Sequence, residues 1–225
     1  MSTIQLVLSD KYYSKDPQTT DLGQKIIRSS IKMLDELGFE QFTFKKLAKE
    51  IDSTEASIYR YFENKHRLLI YLIAWYWNWM EYRIDYSIQN VFDPKEKLKI
   101  ALKTICSRKE ADPLFPDIDE AALYRIVVAE SDKTYLNKQV DDINKDGLFR
   151  GYKALCKRIA GFIKELNPNY SYSHSLSSTV LEAAHQQLFF CQHLPSLSDI
   201  NSKDPDPNGQ IYEFIQSTVF QTIRP

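Results

Sequence analysis

The chain has 225 residues, 43% of them hydrophobic, 13% aromatic and 26% charged, with a formal net charge of −1. Apolar and aromatic residues occur throughout, which excludes a disordered chain, and the length buries a core without covalent staples. The near-zero net charge excludes a protein that coats nucleic acid by bulk electrostatics, so any such binding must come from a local patch.

Three cysteines, Cys106, Cys156 and Cys191, are far apart and show no CxxC spacing. Ordinary thiols in a reducing compartment are expected. The N-terminus lacks a basic stretch followed by a long apolar core, and the densest apolar run, Leu68 to Trp77, is too short to span a bilayer. A soluble, cytoplasmic protein is the expectation.

Residues 1–19 read as an N-terminal arm. Ile4, Leu6 and Leu8 alternate with Gln5, Val7 and Ser9, a weak strand hint, and Lys11, Lys15 and Pro17 suggest extended chain. Such an arm either packs on the neighbouring helices or reaches nucleic acid beside them.

From Asp21 a helical period takes over. Ile27, Ile31 and Leu34 share a face widened by Ile26, Met33 and Leu37, and Gly38 is a plausible stop. Thr43 is placed to cap a second helix, in which Phe44, Leu47, Ala48 and Ile51 form one buried stripe. Asp52-Ser53-Thr54 offers a turn and the next cap. A short third helix then buries Ile58 and Phe62 and turns Glu55, Ala56, Ser57, Tyr59 and Arg60 outward. Asn64 caps a long fourth helix, expected from Lys65 to about Asn90.

Asp93-Pro94-Lys95-Glu96 is a strong helix start, and Asp117 with Glu120 is another. A helical region from about Tyr135 to Leu166 is expected to kink at Gly147 and Gly161. Helices from about Tyr172 to His193 and Gln210 to Ile223 close the chain, with a surface loop at Leu194 to Gly209. No repeat and no convincing sheet is visible.

Two short helices joined by a tight turn and preceded by a packing helix make a helix-turn-helix, whose second helix fits the major groove. Between Thr20 and Ile70 nine cations stand against eight anions, an excess of one. The basic signal therefore depends on folding to collect the cations on one face. The run Ser57-Ile58-Tyr59-Arg60-Tyr61-Phe62, followed by Asn64-Lys65 and Leu68-Leu69, clusters hydroxyls and cations at a helix exit and the next helix entry. Phosphates suit such a place.

With Leu37-Gly38-Phe39, Phe42-Thr43 and Leu47-Ala48, that run makes the stretch from about Gly23 to Leu69 resemble the tetracycline-repressor (TetR) family. The resemblance implies an all-α fold: a three-helix head, a long connecting helix and a C-terminal helical bundle. It divides the chain into residues 1–19 as the arm, 20–66 as the DNA-binding head and 67–225 as a ligand-sensing and dimerisation domain. The implied function is a sequence-specific transcriptional regulator, a repressor released by a small ligand. The implied partners are a palindromic double-stranded operator, a second copy of the chain and an unidentified small molecule.

Carried over by position, Thr43 caps the second helix and touches a phosphate, and Thr54 and Ser57 stand at the start of the recognition helix. Tyr59 and Tyr61 offer hydroxyls to the backbone or bases, Arg60 stands among them, and Lys65 pairs with a phosphate. Tyr61 fits packing equally well. Lys45, Lys46 and Lys49 are either a solvated face or phosphate-steering charges. Two positions depart from the family pattern. Its usual turn glycine is Asp52, and its usual basic or small residue is Glu55. Glu55 either accepts from a cytosine amino group or is a solvated helix-end charge.

The fourth helix carries an aromatic stripe, Tyr71, Trp75, Trp79, Tyr82 and Tyr86. Core packing is its default meaning, and a pocket lined by Trp75, Trp79 and Tyr82 is the alternative. Apolar faces in the last two helices, including Val180, Ala184, Leu188, Ile211, Phe214 and Ile215, either close the chain's own bundle or pair two chains. His174, His185 and His193 near Cys191 lack metal-ligand spacing, so no metal and no cofactor is expected. No nucleophile elbow, phosphate loop or zinc-hydrolase motif is present. An enzyme without a recognisable motif and a helical adaptor remain the alternatives to a regulator.

Overall fold

The computed structural model describes residue 6 and residues 8–224. Among them every regular element is a helix. The α-helices are α1 (Asp21–Gln41), α2 (Phe44–Glu50), α3 (Glu55–Tyr59), α4 (Lys65–Ser87), α5 (Pro94–Cys106), α6 (Glu120–Glu130), α7 (Asp132–Tyr135), α8 (Val140–Lys145), α9 (Arg150–Leu166), α10 (Ser173–His193) and α11 (Pro207–Thr222). Ile4, Gln5 and Val7, half of the weak strand hint, lie outside the described residues.

The starts of α2, α3, α4 and α5 follow the caps read from sequence: the side chains of Thr43, Thr54 and Asp93 each accept a first-turn N–H, and Asn64 Oδ1 accepts from Arg67 N at 2.9 Å. Thr20 and Asp206, which the sequence reading did not single out, cap α1 and α11 in the same way. A cap of this kind contributes about 1 kcal/mol. The start of α6 differs: Asp119 is the cap, and Asp117 is paired with Arg28 on α1 instead. The expected kinked helix from about Tyr135 to Leu166 is instead two separate helices, α8 and α9, and α7 ends where it was expected to begin. Gly147 lies between α8 and α9 at φ 76°, whereas Gly161 sits inside α9 with no break.

The chain divides into two compact units, one of residues up to Asn78 with Lys109–Gly151, the other of Trp79–Arg108 with residues from Tyr152 on. Helices α4 and α9 each contribute to both. This division by packing cuts the chain at other places than the expected segments 20–66 and 67–225, because α6 packs chiefly on α1.

In the first unit, Ile26, Ile27, Ile31 and Leu34 on α1 and Leu68, Leu69 and Leu72 on α4 are buried, as are Leu123, Ile126 and Val127 on α6. Three polar tethers join α1 to the α6 region. Arg28 pairs with Asp117, Arg125 binds both Asp35 carboxylate oxygens at 2.8 and 2.6 Å, and Glu130 Oε1 accepts from the Phe39 backbone N–H at 2.9 Å. The described part of the arm packs on the same unit. Tyr12 donates its hydroxyl to the Leu148 carbonyl at 2.6 Å, Ser14 N donates to the Tyr61 carbonyl at 2.8 Å, and Pro17 lies so close to Gly23 that a Cβ there would clash.

In the second unit α11 packs on α10 and α5. Asn208 caps the end of α5 through the Cys106 carbonyl at 2.7 Å, and Asn167 donates to the Ile223 carbonyl at 3.2 Å. Arg158 on α9 reaches Asp85 at 2.8 Å and Glu81 at 3.3 Å on the last turns of α4. No described helix is long and apolar enough to cross a membrane.

Candidate nucleic-acid interface

Helices α2 and α3 form a helix-turn-helix because their apolar residues all fall on one side. Phe44, Leu47 and Ala48 of α2, Ile51 of the turn, Ile58 of α3 and Phe62 just beyond it are buried. The turn requires a left-handed residue, and Asp52 supplies it at φ 51° where the family places glycine. Aspartate tolerates that conformation better than most residues, though less well than glycine.

The opposite side is exposed. On α3 it presents Glu55, Ala56, Tyr59 and Arg60, with Thr54 at the cap and Ser57 half-buried. Thr54 Oγ1 accepts from Ser57 N at 3.2 Å and lies 2.9 Å from Ser57 Oγ, so the two hydroxyls form one polar edge at the start of α3. The Tyr59 ring stands edge-on to Phe44 at 5.1 Å, which fixes its base while half of it stays in solvent. Thr43 is exposed and accepts from Lys46 N at 3.2 Å.

Folding spends several of the head's cations internally. Lys25 donates to the Ile51 carbonyl at 2.7 Å, Lys46 to the Gln41 carbonyl at 2.8 Å, and Lys32 pairs with Glu50. Lys65 is the main correction to the sequence reading. Its Nζ donates to the carbonyls of Phe39, Glu40 and Phe42 at 2.9, 3.2 and 3.2 Å, and lies 4.5 Å from the Phe39 ring centre. An ammonium has three protons, so none remains for a phosphate. Tyr61 is also an internal residue. It is 3% exposed, and its hydroxyl is 2.7 Å from that of Thr20.

Among the described residues Lys45, Lys49 and Arg60 remain as exposed head cations with no bonded partner. Lys45 and Lys49 are four residues apart and share one face of α2. Lys15 of the arm joins this exposed group, its Nζ 5.2 Å over the Tyr61 ring. The position of Lys15 at the exit of α3 was not legible in the sequence, which showed only a basic arm.

The three candidate ligand-pocket residues have different surroundings. Trp75 lines a cavity of about 60 Å³ in the first unit, together with Ile27, Tyr71 and Phe115. Trp79 belongs to the second unit and is fully buried, with the Arg83 guanidinium 4.9 Å from its ring. Tyr82 is half-buried and stacks on exposed Tyr86 at 6.4 Å. The second unit also holds a polar pair missed by the sequence reading, Tyr152 donating its hydroxyl to Glu182 at 2.7 Å. Cys156, one turn along α9, is pushed up to about 11 by burial and by Glu182, so it stays a thiol at neutral pH. Among the described residues no group of three or more His, Cys, Asp or Glu could hold a metal.

The proposed pairing residues also divide. Val180, Ala184, Leu188, Ile211 and Ile215 are buried where α10 and α11 pack within one chain, so they close its own core. Phe214 is 45% exposed, as are Leu194 at 45% and Leu197 at 57%.

Residues 26–72 match the family model for bacterial regulatory proteins of the tetR family. The chain carries a TetR-family head. The match covers α2 and α3, most of α1 and the first turns of α4.

Solved structures extend the likeness over most of the chain. AibR in complex with isovaleryl coenzyme A and operator DNA is similar at a TM-score of 0.58 and 12% identity, over 88% of this chain and 98% of that one. The fatty acid degradation regulator FadR from Bacillus halodurans is similar at 0.56 and 16% identity, over 87% and 92%. The ketosteroid transcriptional regulator KstR2 of Mycobacterium tuberculosis is similar at 0.56 and 13% identity, over 88% and 92%. At these identities the likeness establishes the fold. No curated protein sequence matches the chain.

Proposed function

We propose that this protein is a ligand-regulated transcriptional repressor that binds a palindromic operator as a homodimer in the cytoplasm. The observation that carries this is the exposed face of α3, with Glu55, Ser57, Tyr59 and Arg60 between a satisfied cap and a buried Ile58, in a TetR-type head. Base contacts fall to Glu55, Ser57 and Tyr59. Phosphate contacts fall to Thr43, Lys45, Lys49 and Arg60 rather than to Lys65. One head reads too few base pairs for useful specificity, and two heads about 34–36 Å apart reach successive major grooves. Phe214, exposed on α11, is the residue best placed to pair two chains. That AibR was solved with both an acyl coenzyme A and operator DNA supports a fold able to serve both partners.

Selection of bound sites from random DNA tests the reading. A palindromic consensus bound in a salt-dependent way is expected, and Glu55→Ala should change the preferred bases without lowering the salt slope. A chain that enriches no sequence is not an operator-binding regulator.

A further inference from the structure

We propose that the aromatic-walled cavity of the first unit is a binding site for a small neutral phenol, which enters by displacing the Phe115 ring. This deepens the ligand-regulated reading and rests on it for its regulatory meaning. The walls are Ile27 of α1, Tyr71 and Trp75 of α4, and Phe115 and Ile118 of the segment before α6. All but Ile118 are at least 96% buried. Trp75 and Phe115 meet edge to face at 5.2 Å. Such a wall favours a flat ring over a branched aliphatic chain.

The cavity of about 60 Å³ is too small for that ring as it stands. An apolar cavity of roughly 150 Å³ holds benzene and stays dry without it. The missing space is the space Phe115 occupies, so this side chain acts as the resident ligand. Its segment, residues 109–119, is built to release it. It has no helix, and two successive turns, Phe115 N to the Asp112 carbonyl at 2.9 Å and Ile118 N to the Phe115 carbonyl at 3.0 Å, place Phe115 at the joint. The segment is anchored at its start by buried Lys109, whose Nζ lies 4.6 Å from the Tyr124 ring centre, and beyond that it is held by the Asp112 N–H on Glu120 Oε2 at 3.2 Å and by the half-exposed pair of Asp117 with Arg28.

The polar rim selects the ligand's charge and donor. Gln24 commits its amide nitrogen to the Gln18 carbonyl at 3.1 Å, which leaves its oxygen as an acceptor for an O–H. A carboxylate would lose its water among these apolar walls, and none of the lining residues is a cation that would offset that cost; Asp117 on the rim, already paired with Arg28, adds no positive charge. Opening the segment also pulls Asp117 from Arg28, which lies on the head's first helix. Occupancy is thereby tied to the helix that supports α2 and α3.

The test is calorimetric titration of the full-length protein with phenol, without DNA. A dissociation constant on the order of 1 mM is expected, modest for a ligand of seven non-hydrogen atoms. Phe115→Ala should bind roughly tenfold more tightly, because the competent state is no longer a minority. Ile27→Phe should fill the cavity and abolish the heat, and benzoate should give none with the wild type. Phenol that binds neither protein, or binds Phe115→Ala no more tightly than the wild type, overturns the proposal. Should Ile27→Phe fail to fold, the Phe115→Ala comparison still decides. A gel shift on selected DNA is run separately, and its failure would sink the regulator reading while leaving the phenol titration intact.

Discussion

Lys65 holds the carbonyl of Phe39 at 2.9 Å, while Glu130, from the end of α6, holds the N–H of the same residue at 2.9 Å. The chain leaving α1 is thus gripped from both sides just before the helix-turn-helix begins. The grip extends outward through Lys133, whose Nζ is 2.6 Å from Glu130 Oε2 and whose carbonyl lies 2.9 Å from His66 Nε2. The carboxylate beside it holds the Lys133 ammonium above the usual lysine range. The head's geometry is therefore set partly by residues far outside the matched family segment.

This arrangement separates two kinds of lysine. Lys65→Ala strips a donor from three carbonyls and should destabilise the protein by about 1–3 kcal/mol. Lys45→Ala and Lys49→Ala should leave stability unchanged and each lower the salt slope of operator binding by about one. Urea denaturation and fluorescence anisotropy across a salt series measure the two effects. A Lys65→Ala protein with full stability and a reduced slope would restore its phosphate role.

Gly38 sits at φ 72° and ψ 164°, a region closed to side chains. Gly38→Ala should therefore destabilise the protein by about 1–3 kcal/mol, even though the nearest atom to the added Cβ, Glu130 Oε1, is a comfortable 3.6 Å away. Asp52→Gly should act in the opposite direction, relieving up to about 1 kcal/mol of left-handed strain. The shifts in urea midpoint give both signs.

Glu120 is fully buried at the start of α6, with Oε2 on the Asp112 N–H and Oε1 unpartnered. Burial pushes its carboxyl up to about 7. The folded state therefore holds a proton that the unfolded chain has already lost, so stability falls as pH rises from about 4.5 to 7 and is flat above that. Glu120→Gln keeps the acceptor for Asp112 and removes the charge. It should stabilise the protein by about 2–3 kcal/mol at pH 8 and change little at pH 4.5. Thermal melts at both pH values check this. An equal gain at each would mean the carboxyl is not protonated in the fold.

Phe214→Glu should leave one chain folded and separate paired chains, because the side chain lies outside the core. Val180→Glu should instead unfold the chain, since Val180 is 2% exposed and an unpaired buried charge destabilises strongly. Sedimentation velocity with circular dichroism distinguishes the outcomes. A folded Phe214→Glu dimer would place pairing elsewhere.

Sequence alone determined the helical class, the caps of α2 to α5 and the family likeness of the head. Thr43 and Thr54 cap as expected because a cap depends on residues within three positions. Ile58 and Phe62 are buried as expected because helical phase follows from spacing. Asp52 takes the left-handed turn because the family pattern marks that position. Only the tertiary structure decided what the charged and aromatic side chains do. Lys65 faces carbonyls about 25 residues earlier, Asp117 takes Arg28 instead of capping α6, and Glu130 bonds Phe39 across 91 positions. The stripe from Tyr71 to Tyr86 divides between two units, and most of the apolar face of α10 and α11 closes its own chain. The physical reason is range. Backbone geometry and capping are satisfied by near neighbours, whereas an ion's partner or an aromatic's wall depends on which distant helices fold against it.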